Sequence, residues 1–290
     1  MSPGNPVVNN KNPAVSAIIP TFNRAPWLKE AMASVLSQNY EDFELLVVDD
    51  GSTDDTREMV KDFPEVRYIR NEENSGVSRA RNIGVQNARG SFICFLDSDD
   101  LWEKDKLAAQ MDWMERRPEC RACYTDELWV RNGRRVNPMN KHGKYSGDIF
   151  RHCLPLCIVS PSSVMLQASL LAEVGGFDEA LPACEDYDLW LRIAARYPFH
   201  FIPRKLIVKR GGHAGQLSRK YWGMDRFRVR ALEKLLDGES LDECQRALAV
   251  QELVKKSSVL HKGFMKRENL KDAEYYQRLM EKYSEGAAKP

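Results

Sequence analysis

Residues 92–102 read Phe-Ile-Cys-Phe-Leu-Asp-Ser-Asp-Asp-Leu-Trp, so an apolar, β-prone run leads directly into three carboxylates. Such a run is typical of a strand that is buried on both faces of a parallel sheet. Asp97, Asp99 and Asp100 would then follow the carboxyl end of the strand, where open α/β sheets bind ligands. Neighbouring carboxylates repel one another unless a cation joins them, and Mg²⁺ and Mn²⁺ prefer oxygen ligands. We therefore predict a metal and phosphate site here, because a helix cap alone would need only one Asp.

Strand and helix patterns alternate along the first 120 residues. Short apolar runs predict strands at 15–19, 45–48, 66–69 and 92–96, and a helical pattern follows each of them. This alternation indicates βαβ units, a parallel sheet and an α/β fold. Helices are predicted at 26–38, 77–88 and 104–116. A further helix, capped by Ser52 or Thr53, is predicted to end at Asp62.

The pattern changes after Tyr124. The basic stretch 131–147, which contains Gly and Asn, predicts a hairpin or a mobile loop. Beyond Tyr221 the chain is charged and predicts three helices, a helical C-terminal extension. The other predicted elements are a strand at 158–166, helices at 170–174 and 186–197, and one or two strands within 199–208.

Composition places the chain among globular proteins. Its 290 residues are 43% apolar and 29% charged, and the formal net charge of +1 predicts no nucleic-acid binding. No apolar run approaches the roughly 18 residues of a membrane helix. Residues 1–13 are rich in Asn and Pro and lack the apolar core of a signal peptide. We therefore expect a disordered leader, a cytoplasmic location and reduced thiols for the seven Cys.

Two cysteine pairs have spacings that zinc sites use, Cys120 with Cys123 and Cys153 with Cys157, the latter pair preceded by His152. Neither pair has the Gly-rich flanks that are usual for such sites. Cysteine is also a common small core residue, and this interpretation is favoured over zinc.

Several phosphate-binding and hydrolase motifs are absent from the sequence. The loop Pro20-Thr21-Phe22-Asn23-Arg24 follows the first strand without a Gly, so no G-x-G-x-x-G turn is present. The sequence has neither the P-loop motif nor the G-x-S-x-G elbow of α/β-hydrolases. A phosphorylated ligand would therefore be held by carboxylates and a metal.

Four segments, in this order, resemble the inverting family 2 glycosyltransferases. They are residues 18–24, residues 47–54, Asn74-x-Gly76 with 80–84, and residues 96–100. The resemblance covers about 14–215 and implies a GT-A fold. It also implies transfer of a sugar from a nucleotide-diphosphate donor, usually a UDP-sugar, with Mn²⁺ or Mg²⁺. The expected acceptor is a hydroxyl of a glycan or lipid-linked saccharide in cell-surface polysaccharide synthesis.

The resemblance implies a division of the chain and a set of donor contacts. Residues 14–120 would bind the nucleotide-sugar, 121–220 would bind the acceptor, and 221–290 would form the helical extension. Asp50 would accept the base N–H of uracil, and Arg81 would lie by the base or phosphates. The expected nucleotide-sugar contacts are Pro20, Thr21, Asn23, Arg24, Asp50, Gly76, Arg81, Asp97, Ser98 and Asp99.

Asp97-Ser98-Asp99 corresponds to the DXD motif of the family. The resemblance implies that Asp99 is the first metal contact and Asp100 the second, with Asp97 nearer the ribose. His213 would complete the metal shell or touch the diphosphate, in a loop with three Gly. The cations expected to offset the diphosphate charge are Lys209, Arg210 or Arg219.

A catalytic base is expected outside the DXD motif. A hydroxyl that attacks an anomeric carbon loses its proton as the bond forms, and a carboxylate is a natural acceptor. The segment 185–190, Glu-Asp-Tyr-Asp-Leu-Trp, follows Gly175-Gly176-Phe177-Asp178 and resembles the family's base motif. Asp186 is the expected base, with Glu185 as the second choice. The alternative is that these acids only favour a helix N-terminus.

The sequence departs from the processive members of the family, since it has neither Q-x-x-R-W nor membrane helices. We therefore expect transfer of one or a few sugars. Sugar-1-phosphate nucleotidyltransferases are an alternative, but they need a Gly-rich basic loop after the first strand. A non-catalytic binding module is another, although it would not need Asp186.

The segment 204–230 carries nine Lys and Arg against Asp225 alone. It is expected either to contact an anionic membrane or lipid-diphosphate acceptor, or to pair with the acidic stretch 237–243. Trp222 is a candidate for stacking on a sugar.

Overall fold

The computed structural model describes residues 12–213, 215–216 and 220–286. Most of the expected leader lies outside these residues, and so does Arg219. The described strands are β1 (Val15–Thr21), β2 (Phe43–Asp49), β3 (Val66–Arg70), β4 (Phe92–Phe95), β5 (Leu101–Trp102), β6 (Ala122–Arg131), β7 (Arg134–Val136), β8 (Val164–Gln167) and β9 (His200–Gly211).

Within the described residues, these nine strands form one mixed sheet in the order β3-β2-β1-β4-β8-β6-β9-β5, with β7 paired to β6. Strands β1 to β4 are mutually parallel, and β8 pairs antiparallel to both β4 and β6. The nucleotide-binding and acceptor-binding halves expected from the sequence therefore share one continuous sheet.

Ten helices flank this sheet in the described part of the chain. They are α1 (Ala25–Leu36), α2 (Thr56–Val60), α3 (Val77–Asn87), α4 (Lys106–Glu115), α5 (Phe150–Cys153), α6 (Ala168–Val174), α7 (Glu185–Ala194), α8 (Asp225–Asp237), α9 (Glu243–Met265) and α10 (Leu270–Gly286).

The central strands are mostly apolar and largely buried because both faces of the sheet are covered. In β1, Ile18 belongs to one hydrophobic core, whereas Ala17 and Ile19 belong to the core on the opposite face. In β4, Phe95 and Cys94 divide in the same way. Helix layers on both sides of the sheet thus account for the continuous apolar runs in the sequence.

The three C-terminal helices share a hydrophobic core with α7 and the neighbouring elements. Leu232 of α8 and Leu253 of α9 are fully buried in the same core as Trp190 of α7. Lys234 of α8 also lies 2.8 Å from the carboxylate of Asp178. The predicted helical extension is therefore integrated into the fold.

Several predicted boundaries were wrong. Helix α2 begins at Thr56, after Asp55, so neither Ser52 nor Thr53 caps it. The expected strand at 158–166 is reduced to β8, and a 3₁₀ turn, Pro161–Ser163, precedes it. The predicted hairpin in 131–147 is present as β6 and β7.

Three of the four paired cysteines are core residues, and the fourth, Cys157, is half-buried. Cys120, Cys123 and Cys153 are all buried, and burial raises the pKa of Cys120 to about 11 and that of Cys153 to about 12. Their burial fits the interpretation of these residues as small core residues. No group of three or more His, Cys, Asp or Glu suited to a metal occurs among the described residues.

Candidate active site

The loops after β1 and β2 are joined by hydrogen bonds at the carboxyl edge of the sheet. Asn23 has a left-handed backbone (φ 52°), and its side-chain oxygen accepts from the amides of Thr53 (2.7 Å) and Asp54 (3.3 Å). Asp54 in turn accepts from the first amide of α1, that of Ala25, at 3.0 Å. Asp54, at the end of the motif that follows β2, therefore caps α1, the helix that follows the loop after β1. Pro20 is buried in β1 beside this loop.

Asp50 holds the loop that leads into α3. Its carboxylate is 3% exposed and accepts from the amides of Ser75 (3.1 Å) and Gly76 (2.7 Å) and from the Asn71 side chain (2.8 Å). The Ser75 amide lies 3.1 Å from both oxygens, so three donors already engage the roughly four acceptor positions of this carboxylate, and a further donor would have to displace the shared bond. The buried hydroxyl of Thr21 has no hydrogen-bond partner among the described residues. The Thr21 hydroxyl is thus suited to a polar ligand at this edge.

Arg81 joins the DXD motif to the expected base motif. It is 3% exposed and donates to Asp97 Oδ1 and to Glu185 Oε1, both at 2.6 Å. Burial, together with the nearby Asp186 charge, raises the pKa of Glu185, although Arg81 opposes this shift. The structure therefore brings together two motifs that lie far apart in the sequence.

Asp99 and His213, two of the residues expected to bind a metal, are in direct contact. Asp99 Oδ2 lies 2.8 Å from His213 Nε2 and accepts from Arg24 at 2.7 Å. The Trp27 ring packs against the imidazole of His213, with the ring centroids 4.9 Å apart. Ser98 is buried beside Asp99. Sequence analysis did not identify Trp27, because one Trp in an amphipathic helix carries no functional signal.

Asp100 is engaged by protein groups on both of its oxygens. Ser162 donates to Oδ2 at 2.7 Å, and the amide of Arg210 donates to Oδ1 at 2.9 Å. Burial and repulsion from Asp97 and Asp99 raise its pKa well above the usual range. This carboxyl holds the DXD loop against β9, a role that the acidic cluster itself does not reveal.

Asp186 lies in the first turn of α7, which begins at Glu185 after a left-handed Cys184 (φ 63°). Its Oδ2 accepts from the Cys157 thiol at 3.2 Å, and its Oδ1 accepts from the amide of Tyr187. Asp186 is half-buried, whereas Glu185 is 4% exposed and paired with Arg81. Asp186 is thus the more accessible of the two carboxylates.

A charged cluster beside the site was not identified from the sequence. Glu127 is 3% exposed, accepts from Trp129 at 2.8 Å and lies 3.3 Å from the Lys144 ammonium. Burial acts to lower the pKa of Lys209, but Glu127 and Asp100 outweigh it and raise that pKa. Lys209 therefore keeps its positive charge between the DXD loop and the acceptor-side strands.

The basic segment 204–230 is not one continuous charged surface. Arg204 lies 3.2 Å from Asp105, and Arg210 pairs with Glu30. These cations are used within the fold, but their partners Asp105 and Glu30 lie outside the acidic stretch 237–243 that was the expected partner. None of the helices in the described ranges is long and apolar enough to cross a membrane.

The residues present fit a divalent cation. Mg²⁺ and Mn²⁺ sites at phosphates use one or two protein carboxylates, and the ligand oxygens and water supply the rest. His213 Nε2 already contacts Asp99 Oδ2. The Arg24 guanidinium contacts the same oxygen and places a positive charge there. This donor set, with few protein ligands, matches a cation shared with a diphosphate.

The mixed, mostly parallel sheet, with helices on both faces and an acidic loop after β4, is an arrangement of the GT-A class. A family model described as glycosyl transferase family 2 matches residues 16–175, which is more than half of the chain. The chain belongs to this family.

Two relatives illustrate the match. An uncharacterized glycosyltransferase of Rickettsia felis is 36% identical over 195 residues, which are 66% of this chain and 32% of that protein. The chain thus spans about a third of the first relatives it matches. The Escherichia coli UDP-Glc:alpha-D-GlcNAc-diphosphoundecaprenol beta-1,3-glucosyltransferase WfgD is 34% identical over 184 residues, 62% of this chain and 69% of that protein.

Two solved structures share the fold. Staphylococcus aureus TarS 1–349 in complex with UDP-GlcNAc has a TM-score of 0.68 at 19% identity, covering 94% of this chain and 92% of that one. The mannosyltransferase PcManGT from Pyrobaculum calidifontis, in complex with GDP-Man and Mn²⁺, has a TM-score of 0.61 at 19% identity, covering 95% and 85%. The GT-A fold expected from the sequence is confirmed.

Proposed function

We propose that this chain transfers a sugar from a UDP-sugar to a hydroxyl of a glycan or lipid-linked saccharide, with inversion at the anomeric carbon. The observation that carries the proposal is the double ion pair of Arg81, which links the DXD motif at Asp97 to the base motif at Glu185. The motif proposed for the donor and the motif proposed for the base are thus joined directly through Arg81.

In this proposal Asp186 accepts the proton of the acceptor hydroxyl as its oxygen attacks the anomeric carbon. Glu185 is a weaker candidate because Arg81 already occupies it. The bond from the anomeric carbon to the diphosphate oxygen breaks as the new bond forms on the opposite face. Arg24 and Lys209 supply fixed positive charge beside the departing diphosphate.

Asp99 and His213 would hold the divalent cation, Mn²⁺ or Mg²⁺, and a bound cation would neutralise diphosphate charge. Asp100 is not included as a ligand, because Ser162 and the Arg210 amide engage both of its oxygens, whereas Arg24 and His213 both contact Asp99 through Oδ2. The complex of PcManGT with Mn²⁺ supports use of such a cation in this fold.

Support for a UDP-sugar comes from two proteins, since the names of WfgD and TarS specify UDP-Glc and UDP-GlcNAc. PcManGT is named with GDP-Man, so the fold alone does not select the base. Asp50 is the proposed acceptor for the uracil N–H, next to Thr21, Asn23 and Gly76. The lipid-linked class of acceptor is supported by the diphosphoundecaprenol named for WfgD.

The test is UDP release from UDP-Glc and UDP-GlcNAc in the presence of Mn²⁺ and an acceptor saccharide, with the product anomer read by NMR. Inversion of the donor configuration is expected. A product that retains the configuration, or turnover of GDP-Man alone, would overturn the corresponding part of the proposal.

A further inference from the structure

The turn between α9 and α10 exposes large apolar side chains. Met265 is 48% exposed and Leu270 64%, and Trp222 nearby is 46% exposed. The Trp222 ring lies 5.2 Å from the ring of Phe264 and 4.4 Å from the Arg267 guanidinium. Trp222 and residues 262–271 therefore form one surface, which we name the tip.

The tip is also strongly basic. Between 262 and 271 the sequence carries four cations and one acid, Glu268. The four are exposed: Lys262, Lys266, Arg267 and Lys271. The neighbouring acid Asp272 accepts a hydrogen bond from Asn269 at 2.9 Å. Exposed Trp, Met and Leu surrounded by Lys and Arg are typical of surfaces that lie in the headgroup region of an anionic bilayer.

The chain segment that carries Trp222 contacts the start of α7. Met224, two residues after Trp222, accepts from the Cys184 thiol at 3.8 Å. Cys184 directly precedes Glu185 and Asp186 at the start of α7. A membrane in contact with the tip would therefore lie near the proposed base, where a lipid-linked acceptor would present its sugar.

We propose that the tip docks on the surface of an anionic lipid bilayer, with Trp222, Met265 and Leu270 among the headgroups and the four cations at lipid phosphates. The link to a lipid-linked acceptor rests on the proposed function, but bilayer binding does not. The proposal moves the expected membrane contact from 204–230, where cations such as Arg210 are paired internally, to the C-terminal helices.

The test is co-sedimentation of the full chain with vesicles of phosphatidylcholine alone and of equal parts phosphatidylcholine and phosphatidylglycerol. Binding only to the anionic vesicles is expected. Each surface cation contributes about a fivefold factor in partitioning, so the triple variant K266A/R267A/K271A should lose roughly a hundredfold. The matched control removes three exposed cations elsewhere, K29A/R79A/K104A, and should lose far less.

The contribution of the apolar side chains is tested with M265S/L270S. This variant keeps every charge and alters side chains that are 48% and 64% exposed. Weaker binding to anionic vesicles is expected, with an unchanged melting temperature. Equal binding to both vesicle types, or an equal loss in the control triple, would overturn the proposal. D186N should bind vesicles like the wild type, so failure of the catalytic proposal and failure of docking are distinguishable.

Discussion

Arg81 lies between Asp97 and Glu185 and donates to each carboxylate at 2.6 Å. Burial acts to lower the pKa of Arg81, but the two carboxylates outweigh it and raise that pKa, so the guanidinium stays charged. The donor-side and base-side motifs are thus held together by one buried cation. Its replacement should disturb both at once.

We expect R81A to lower the free energy of unfolding by about 3–5 kcal/mol, because a buried acid is left without its partner. Urea denaturation measures the change, with R79A as the control, since Arg79 is exposed on the same helix. R81K keeps the charge but not the paired geometry, so its free energy of unfolding should lie between those of R81A and R79A. If R81A and R79A are equally stable, the bridge has no structural role.

The assignment of the base is tested by D186N and E185Q. D186N should lower kcat about 10²–10⁴-fold, the usual contribution of a general base, and leave donor affinity unchanged. E185Q should change stability more than D186N does, because Glu185 is buried and paired with Arg81. Steady-state kinetics with calorimetric donor binding separates these effects. Full turnover in D186N would transfer the role to another group.

Gly51 tests the packing of the loop that leads into α3. Its φ is 81°, and a Cβ atom there would lie 2.7 Å from the backbone carbon of Glu73. G51A should therefore displace the loop whose amides bind Asp50 and weaken nucleotide binding. G133A is the matched control, because Gly133 also has a positive φ (73°) but open space around it. Equal nucleotide affinity in both variants would contradict this account.

The ion pairs of Asp225 lead us to expect that the stability of the packed C-terminal helices depends on pH. Burial acts to raise its pKa, but Arg228 and Lys256 outweigh burial and hold the pKa below the ordinary value of 3.8. Its contribution to stability is therefore complete above about pH 4 and is lost as the pH falls through the lower folded value.

D225N should consequently cost stability at pH 7 and cost less as the pH approaches 3. Denaturation curves at both pH values measure the difference. E239Q, an exposed acid near the end of α8, is the control and should show no such trend. A cost for D225N that is independent of pH would refute the coupling.

The sequence was sufficient for the central strands and for the motif positions. Strands such as β1 are buried on both faces, so continuous apolar runs mark them, and the loops at their carboxyl ends carry the polar motifs. The two-residue strand β5 was not predictable, because two residues show no periodicity.

Contacts within the site depend on tertiary packing and leave no local signal. Ser162 binds Asp100, and Cys157 binds Asp186, although each pair is separated by many residues in the chain. The sequence placed both Asp99 and Asp100 at the metal, with Asp99 first. Only their three-dimensional partners distinguish Asp99, beside His213, from Asp100, which is held by β9 and Ser162.

The most direct measurement of the central claim is the thermal shift given by UDP, GDP, CDP and TDP with and without Mn²⁺, for the wild type and D99N. At 100 times the dissociation constant a ligand stabilises by about 2.7 kcal/mol, which is readily measured. The account predicts a shift with UDP that requires Mn²⁺ and is lost in D99N but kept in D62N, where the acid is exposed. A UDP shift that is indifferent to Mn²⁺ and to D99N would contradict it.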